Sequence, residues 1–321
     1  MVARLTRHVR AQPAAVRALL WAAAAGLVFT VLNALMRLLA QQLDPFLTQF
    51  LRYFFGFAVL LPWLLRHGLV AYRPQSPGGQ FWRGAVHTVG LMLWFAALPH
   101  IPLADTTAIG FTTPIFIMLG AWWFLKEPMR WERWAATGIG FAGVLVVLGP
   151  ALLASSGTTA GGRGSGAAHL LMLASAPVFA ASFLITKVLT RSESTGVIVF
   201  WQALTVTLFS LPLALLNWQW PTAWQWAGFV LCGALGSGGH YCLTRSFSGA
   251  DISATQSLKF LELLWAALLG FALFSDVPTG TTLAGGALIT AATIWAARRE
   301  AAAGAKASNK VDKKAEGPLL E

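Results

Sequence analysis

The chain has 321 residues, 56% hydrophobic and only 11% charged, with a formal net charge of +11 and a mean hydropathy of +0.64. A soluble globular domain carries about 25% charged residues, so this composition excludes one and indicates a polytopic membrane protein. The basic balance does not indicate nucleic acid, because Lys and Arg stand beside apolar runs and in a short tail, as membrane topology requires.

The N-terminal stretch "MVARLTRHVRAQPAAVRALLWAAAAG" joins a basic start to an apolar run that continues to about Leu39. That run is too long for the apolar core of a signal peptide, so residues 1–17 read as a basic segment before an uncleaved first span. A helix needs about 20 apolar residues to cross a bilayer. Ten segments qualify in chain order: 18–41, 46–66, 82–99, 105–125, 134–150, 168–190, 195–216, 223–244, 251–273 and 281–297. Pro and Gly mark the joints, as in "DPF", "PQSPGGQ" and "WP". Residues 151–167 are a Gly/Ser-rich linker, and the Lys- and Ala-rich tail, 298–321, is expected to be disordered or frayed. Cys232 and Cys242 share neither a helical face nor a metal-ligand spacing, so they read as buried thiols.

Charge orients these spans. With a cytoplasmic N-terminus, eighteen Lys and Arg fall in inside segments, Arg73, Arg83, Arg130 and Arg133 among them, and Arg163 alone falls outside. The positive-inside rule is met, and an even number of spans puts both termini in the cytoplasm of a bacterial inner-membrane protein. Most of the Trp residues lie near span ends, as interfacial anchors do. Trp94, Trp201 and Trp265 lie deeper.

The chain repeats itself. At an offset of 150, "FTVLNALMRLL" (29–39) lies over "FAASFLITKVL" (179–189), so Phe29 meets Phe179 and Arg37 meets Lys187. The same offset brings Leu61-Pro62 onto Leu211-Pro212 and Arg52 onto Gln202. At an offset of 146, "ADTTAIGF" (104–111) lies over "ADISATQS" (250–257), and Glu127 falls near Asp276. Each half, 18–150 and 168–297, holds five spans, an odd number, so the halves are inverted relative to each other. Inverted repeats with a site at their interface are typical of secondary transporters.

The stretches "IPLADTTAIGFTTPIFIMLGAWWFLKEPMRWERWAATGIGFAGVLVVLGP" and "ADISATQSLKFLELLWAALLGFALFSDVPTGTTLAGGALITAATIWAARRE" resemble the two EamA repeats of the drug/metabolite transporter superfamily. The resemblance covers roughly 18–299 and is nearest the bacterial branch that includes riboflavin and S-adenosylmethionine importers. It departs from the family pattern at Lys126, where Gly is usual, and at Phe-Ser-Asp (274–276), where Phe-Gly-Glu is common. It implies an all-α membrane protein of ten transmembrane helices in two inverted five-helix repeats. The implied function is secondary transport of a small organic metabolite. The alternatives are export of amino acids or drugs, or a non-transporting scaffold or lipid-handling protein. The expected partners are a small-molecule substrate and the lipid bilayer, with a homodimer left open and no nucleic acid. No cofactor is expected. His87 and His240 have no adjacent acid in sequence, so no enzymatic constellation is formed.

Charge inside a span is costly and marks candidate site residues. Arg37 and Arg52 lie roughly 6–9 Å below the outer interface at 1.5 Å per residue. Arg52 either snorkels or pairs with Asp44 or Asp105, or it faces an outward cavity and attracts an anionic group. Lys187 is the repeat mate of Arg37. Lys259 and Glu262, three apart, share a helix face. They form a structural pair, or they line a path in which Glu262 serves proton coupling or cation recognition. Trp94, Trp201 and Gln202 offer stacking surfaces and a polar handle, and His240 and Tyr241 are further candidates. The run "GALGSGGH" (233–240) permits close helix approach.

Overall fold

A computed structural model describes residues 14–40, 42–100, 109–156, 165–274 and 280–315. Ten α-helices run through the described residues: α1 (Ala14–Ala40), α2 (Pro45–His67), α3 (Pro77–Ala97), α4 (Thr113–Phe124) and α5 (Trp131–Ser156), then α6 (Ser165–Leu189), α7 (Thr195–Leu216), α8 (Ala223–Gly249), α9 (Leu261–Phe274) and α10 (Gly280–Ala315). Short 3-10 helices occupy Leu69–Tyr72, Leu98–His100 and Ser253–Phe260.

Local chemistry sets most of the starts. Asp44 caps α2 by accepting from the Phe46 and Leu47 N–H groups, and Pro45 sits where no donor is needed. Ser76 with Pro77 does the same for α3, Ser194 caps α7, and Thr222 with Gln225 forms a capping box on α8. Past the end of α4, Lys126 adopts φ +55°, and the Glu127 N–H returns to the Ala121 carbonyl at 3.1 Å. This left-handed turn explains why Gly is usual at that position.

Six helices, α1, α2, α5, α6, α7 and α10, are long and apolar enough to cross a membrane. Two of the others, α3 and α8, carry buried Arg83, His87, Ser237 and His240, which lower their hydropathy. The remaining two are short, α4 with 12 residues and α9 with 14. The expected ninth span, 251–273, is thus a 3-10 helix followed by an α-helix rather than one continuous helix. Its expected counterpart, 105–125, begins outside the described residues and is α-helical from Thr113. The tail also differs from expectation: α10 continues to Ala315, because a run of Ala and Lys has high helix propensity.

The principal packing is between the halves and is reciprocal. Helix α1 packs on α8, and its counterpart α6 packs on α3. In the same way α2 meets α8 where α7 meets α3, and α1 meets α9 where α6 meets α4. Helix α2 pairs with α7, and α5 with α10. Side chains repeat the relation. A Cβ on Gly90 would lie 3.0 Å from the Phe179 ring, and one on Gly239 would lie 2.8 Å from the Phe29 ring. A Cβ on Gly84 would collide with Thr205, and one on Gly233 with the backbone of Phe55. Each pair of positions is separated by 149 or 150 residues (239 − 90, 179 − 29, 233 − 84, 205 − 55). The glycines therefore set the closest helix approaches in both halves, and the α8 run does what its composition suggested.

Candidate functional site

At the centre of the bundle, polar side chains from five helices meet. Arg83 on α3 is 2% exposed. Its Nε donates to Thr186 Oγ1 on α6, its Nη1 donates to the Ile198 carbonyl on α7 at 2.9 Å, and its Nη2 donates to Gln202 Oε1 on α7. One turn along α3, His87 Nδ1 lies 3.1 Å from Ser182 Oγ, and its Nε2 lies 2.9 Å from the Tyr53 hydroxyl of α2. His240 of α8 brings Nε2 to 3.4 Å from both the Tyr53 hydroxyl and Gln202 Nε2. Phe29 and Phe179, repeat mates, place ring edges on His240 and His87 at centroid distances of 5.2 and 5.4 Å.

Donor accounting fixes the network. Gln202 Oε1 accepts from Arg83, so its amide N–H faces His240 Nε2, which accepts. The Ser182 hydroxyl is directed at the Arg83 carbonyl, 3.5 Å away, so it accepts from His87 Nδ1–H. His87 Nε2 then accepts the Tyr53 proton. Both imidazoles are neutral in this arrangement.

Arg52 does not. Its Nε is buried without a hydrogen-bond partner, and its guanidinium carbon lies 4.9 Å from the Tyr53 ring centroid. It borders a cavity with Tyr53, Gln202, Ser237 and His240 that has room for about one water molecule. Opposite it stands Gly236, where a Cβ would lie 3.4 Å from Arg52 Nε. No ion pair with Asp44 is formed, since that carboxylate caps α2, and Asp105 lies outside the described residues.

The other sequence candidates distribute as follows. Gln202 and His240 belong to the cluster. Lys187 Nζ donates to the carbonyls of Phe247 and Ala250 at 2.7 and 2.6 Å, closing the C-terminal end of α8. Trp201 Nε1 donates to the Tyr72 carbonyl at 2.9 Å and holds the α2–α3 connection. Trp94 packs edge-on against Phe95, centroids 4.9 Å apart, within the apolar core. Tyr241 is 41% exposed and meets Trp21 away from the cluster. Lys259, within the 3-10 helix, donates to Glu262 Oε1 at 2.6 Å, and this pair faces α1 at Gly26 and Thr30. The side chain of Arg37 lies outside what is described. Sequence reasoning missed Tyr53 and His87 and counted Arg83 among the loop cations. The four-residue spacing of Arg83 and His87, both inside a helix that Ser76 and Pro77 announce, was the usable signal.

Contacts close the bundle on both sides of this centre. On the face bearing most of the Arg residues, the Ser76 N–H donates to Glu193 Oε1 at 2.8 Å, joining the α2–α3 and α6–α7 connections. On the same face Glu127 accepts from the N–H groups of Ile252 and Ser253 and from Ser253 Oγ, while Arg133 bridges Asp251 and Glu300. On the opposite face the Asp44 N–H donates to Gln219 Oε1 at 3.2 Å, and Gln225 Nε2 donates to Gln42 Oε1 at 3.0 Å. The second face joins the α1–α2 turn to the start of α8. The first joins the α6–α7 turn to the start of α3, the corresponding places in the other half.

A buried polar centre built jointly by two matching halves, in a bundle with helices apt to cross a bilayer, defines a multi-pass membrane protein of the transporter class. The chain belongs to the EamA-like transporter family, whose pattern matches twice, over residues 16–149 and 166–298. A riboflavin transporter of Rhizobium johnstonii is 35% identical over 284 residues, 88% of this chain and 91% of the relative. An S-adenosylmethionine uptake transporter of Rickettsia felis is 30% identical over 263 residues, 82% of this chain and 86% of the relative. A solved crystal structure shares the fold with a TM-score of 0.74 at 21% identity, covering 87% of this chain and 97% of that one.

Proposed function

We propose that this protein is a secondary transporter that carries a small organic metabolite across the bacterial inner membrane by alternating access. Ten segments cross the bilayer as inverted five-span repeats over 18–150 and 168–297, the ninth completed by the 3-10 helix before α9; the halves are joined through the ends of α5 and α6 and the stretch between them, and both termini are cytoplasmic. The observation that carries this reading is the central cluster, which both halves build and which equivalent contacts seal on both faces. Its cavity has room for about one water molecule, so the bundle must part to admit a metabolite.

Reconstitution in liposomes tests it. Uptake of labelled riboflavin, S-adenosylmethionine and a metabolite panel should be saturable and exceed that of protein-free liposomes for at least one solute. No such solute in the panel would overturn the reading in favour of a scaffold. Reporter fusions at Arg73 and Arg130 should give a cytoplasmic signal, and at Gly162 a periplasmic one. A periplasmic signal at Arg73 would overturn the ten-span map.

A further inference from the structure

Among the described residues, the central cluster holds cations and no anion. Arg83 and Arg52 are both guanidiniums, and the residues bonded to Arg83 are all neutral: Thr186, the Ile198 carbonyl and Gln202. Among the described residues no carboxylate pairs with Arg52, and its buried Nε lacks any partner. The polar side chains around it bond elsewhere: Ser237 Oγ donates to the Gly56 carbonyl at 3.0 Å, Tyr53 to His87, and Gln202 towards His240. A second group is unspent on the same helix face. Gln49, one turn before Arg52 on α2, is 1% exposed, and both its amide atoms are without partners. An unpaired cation inside a span is costly and by default marks a functional position. The small residues Gly233 and Gly236 keep the wall opposite Arg52 clear.

We propose that Arg52 is the anion-binding group of the central site and that the transported metabolite carries a carboxylate or phosphate that docks on its guanidinium. The Gln49 amide hydrogen-bonds the same molecule on its way in. This inference rests on the transporter reading, and it names the substrate class. A planar guanidinium forms paired hydrogen bonds to either oxyanion, which a lysine ammonium cannot reproduce. Carboxylate and phosphate share this chemistry, so probes must separate them.

Matched probe pairs do so: flavin mononucleotide against riboflavin for phosphate, and S-adenosylmethionine against its decarboxylated form for carboxylate. Each is titrated against the purified full chain, with the unfolding temperature as readout. The member bearing the carboxylate or phosphate should, in at least one pair, bind wild type at least tenfold more tightly than its partner. Arg52→Lys should lose about tenfold of that affinity, and Arg52→Gln should lose the preference altogether. Without ligand, Arg52→Gln should unfold at or above the wild-type temperature, because it gives up no hydrogen bond. Equal binding of both members of each pair, no binding by any probe, or a preference that survives in Arg52→Gln would overturn the proposal. So would a ligand-free Arg52→Gln protein that unfolds well below wild type, since that marks a structural cation. The transport reading fails separately: anion binding that depends on Arg52, with no solute crossing liposomes, removes transport and leaves the anion site. Uptake of a neutral solute that Arg52→Gln leaves unchanged removes only the anion site.

Discussion

Lys126 and Arg83 illustrate how single positions are constrained. Lys126 is exposed and holds φ +55°, a conformation that costs an ordinary residue about 1 kcal/mol more than glycine. Lys126→Gly should therefore stabilise the protein by roughly 0.5–1 kcal/mol, less the entropy that glycine adds to the unfolded chain. Thermal unfolding in detergent measures it, and a lower unfolding temperature would contradict the turn geometry. Arg83 has the opposite character, because its three hydrogen bonds reach residues 103 to 119 positions away. Arg83→Met leaves those acceptors buried and unpaired, at a cost of roughly 2–4 kcal/mol. Folded yield should drop sharply, whereas Arg52→Gln should fold normally. The contrast also explains what the sequence concealed. Arg52 announces itself because it interrupts an apolar run. Arg83 hides beside "PQSPGGQ", in a stretch that looks like a loop until the Ser76 cap and Pro77 are given weight. Tyr53 and His87 are ordinary helix residues one by one, and nothing local says that their partners lie on another helix.

At the scale of helices, the approach of α2 to α8 is set by Gly233, where a Cβ would strike the Phe55 carbonyl carbon and the Gly56 nitrogen. Backbone cannot rotate away, so Gly233→Ala must push the helices apart, costing about 1–3 kcal/mol or more. Gly238, in the same helix, faces open space. Gly238→Ala should be neutral or gain a few tenths to about 1 kcal/mol from helix propensity. Comparing the unfolding temperatures of the two variants separates packing from propensity, and equal effects would refute the close approach. Most helix boundaries were legible to within a few residues, because caps, prolines and apolar length are local signals. The break before α9 was not. Residues 251–260 read as the start of a span although six of the ten are polar, and part of what redirects them is remote: Glu127 takes the Ile252 and Ser253 N–H groups and Arg133 takes Asp251. The extension of α10 was missed for the converse reason. Polar composition suggested disorder, yet Ala and Lys favour helix wherever one has already been nucleated.

For the molecule as a whole, the two sealing contacts should alternate. Cysteines replacing Gln42 and Gln225 should cross-link on one face, and cysteines replacing Ser76 and Glu193 on the other. Each cross-link should abolish uptake in liposomes, with recovery on reduction. Full uptake with either link intact would show that the linked face does not open. The ion-paired face, with Glu127, Arg133, Asp251 and Glu300, is held by stronger bonds than the amide-lined one. The reciprocal packing of the halves has a further consequence, for synthesis. Helices α1 and α3 have as principal partners α8 and α6, so the first half leaves the ribosome without the surfaces that complete it. Gln202 follows Arg83 by 119 residues, which at about 5–20 residues per second is a wait of roughly 6–24 s. For most of that interval, until Thr186 is made 103 residues after Arg83, a cation destined for the bundle centre lies among lipids or in the insertion machinery with none of its acceptors yet made. Biogenesis is then governed by translation timing, and codon changes that slow elongation between α3 and α7 should reduce membrane-inserted yield without altering a single residue.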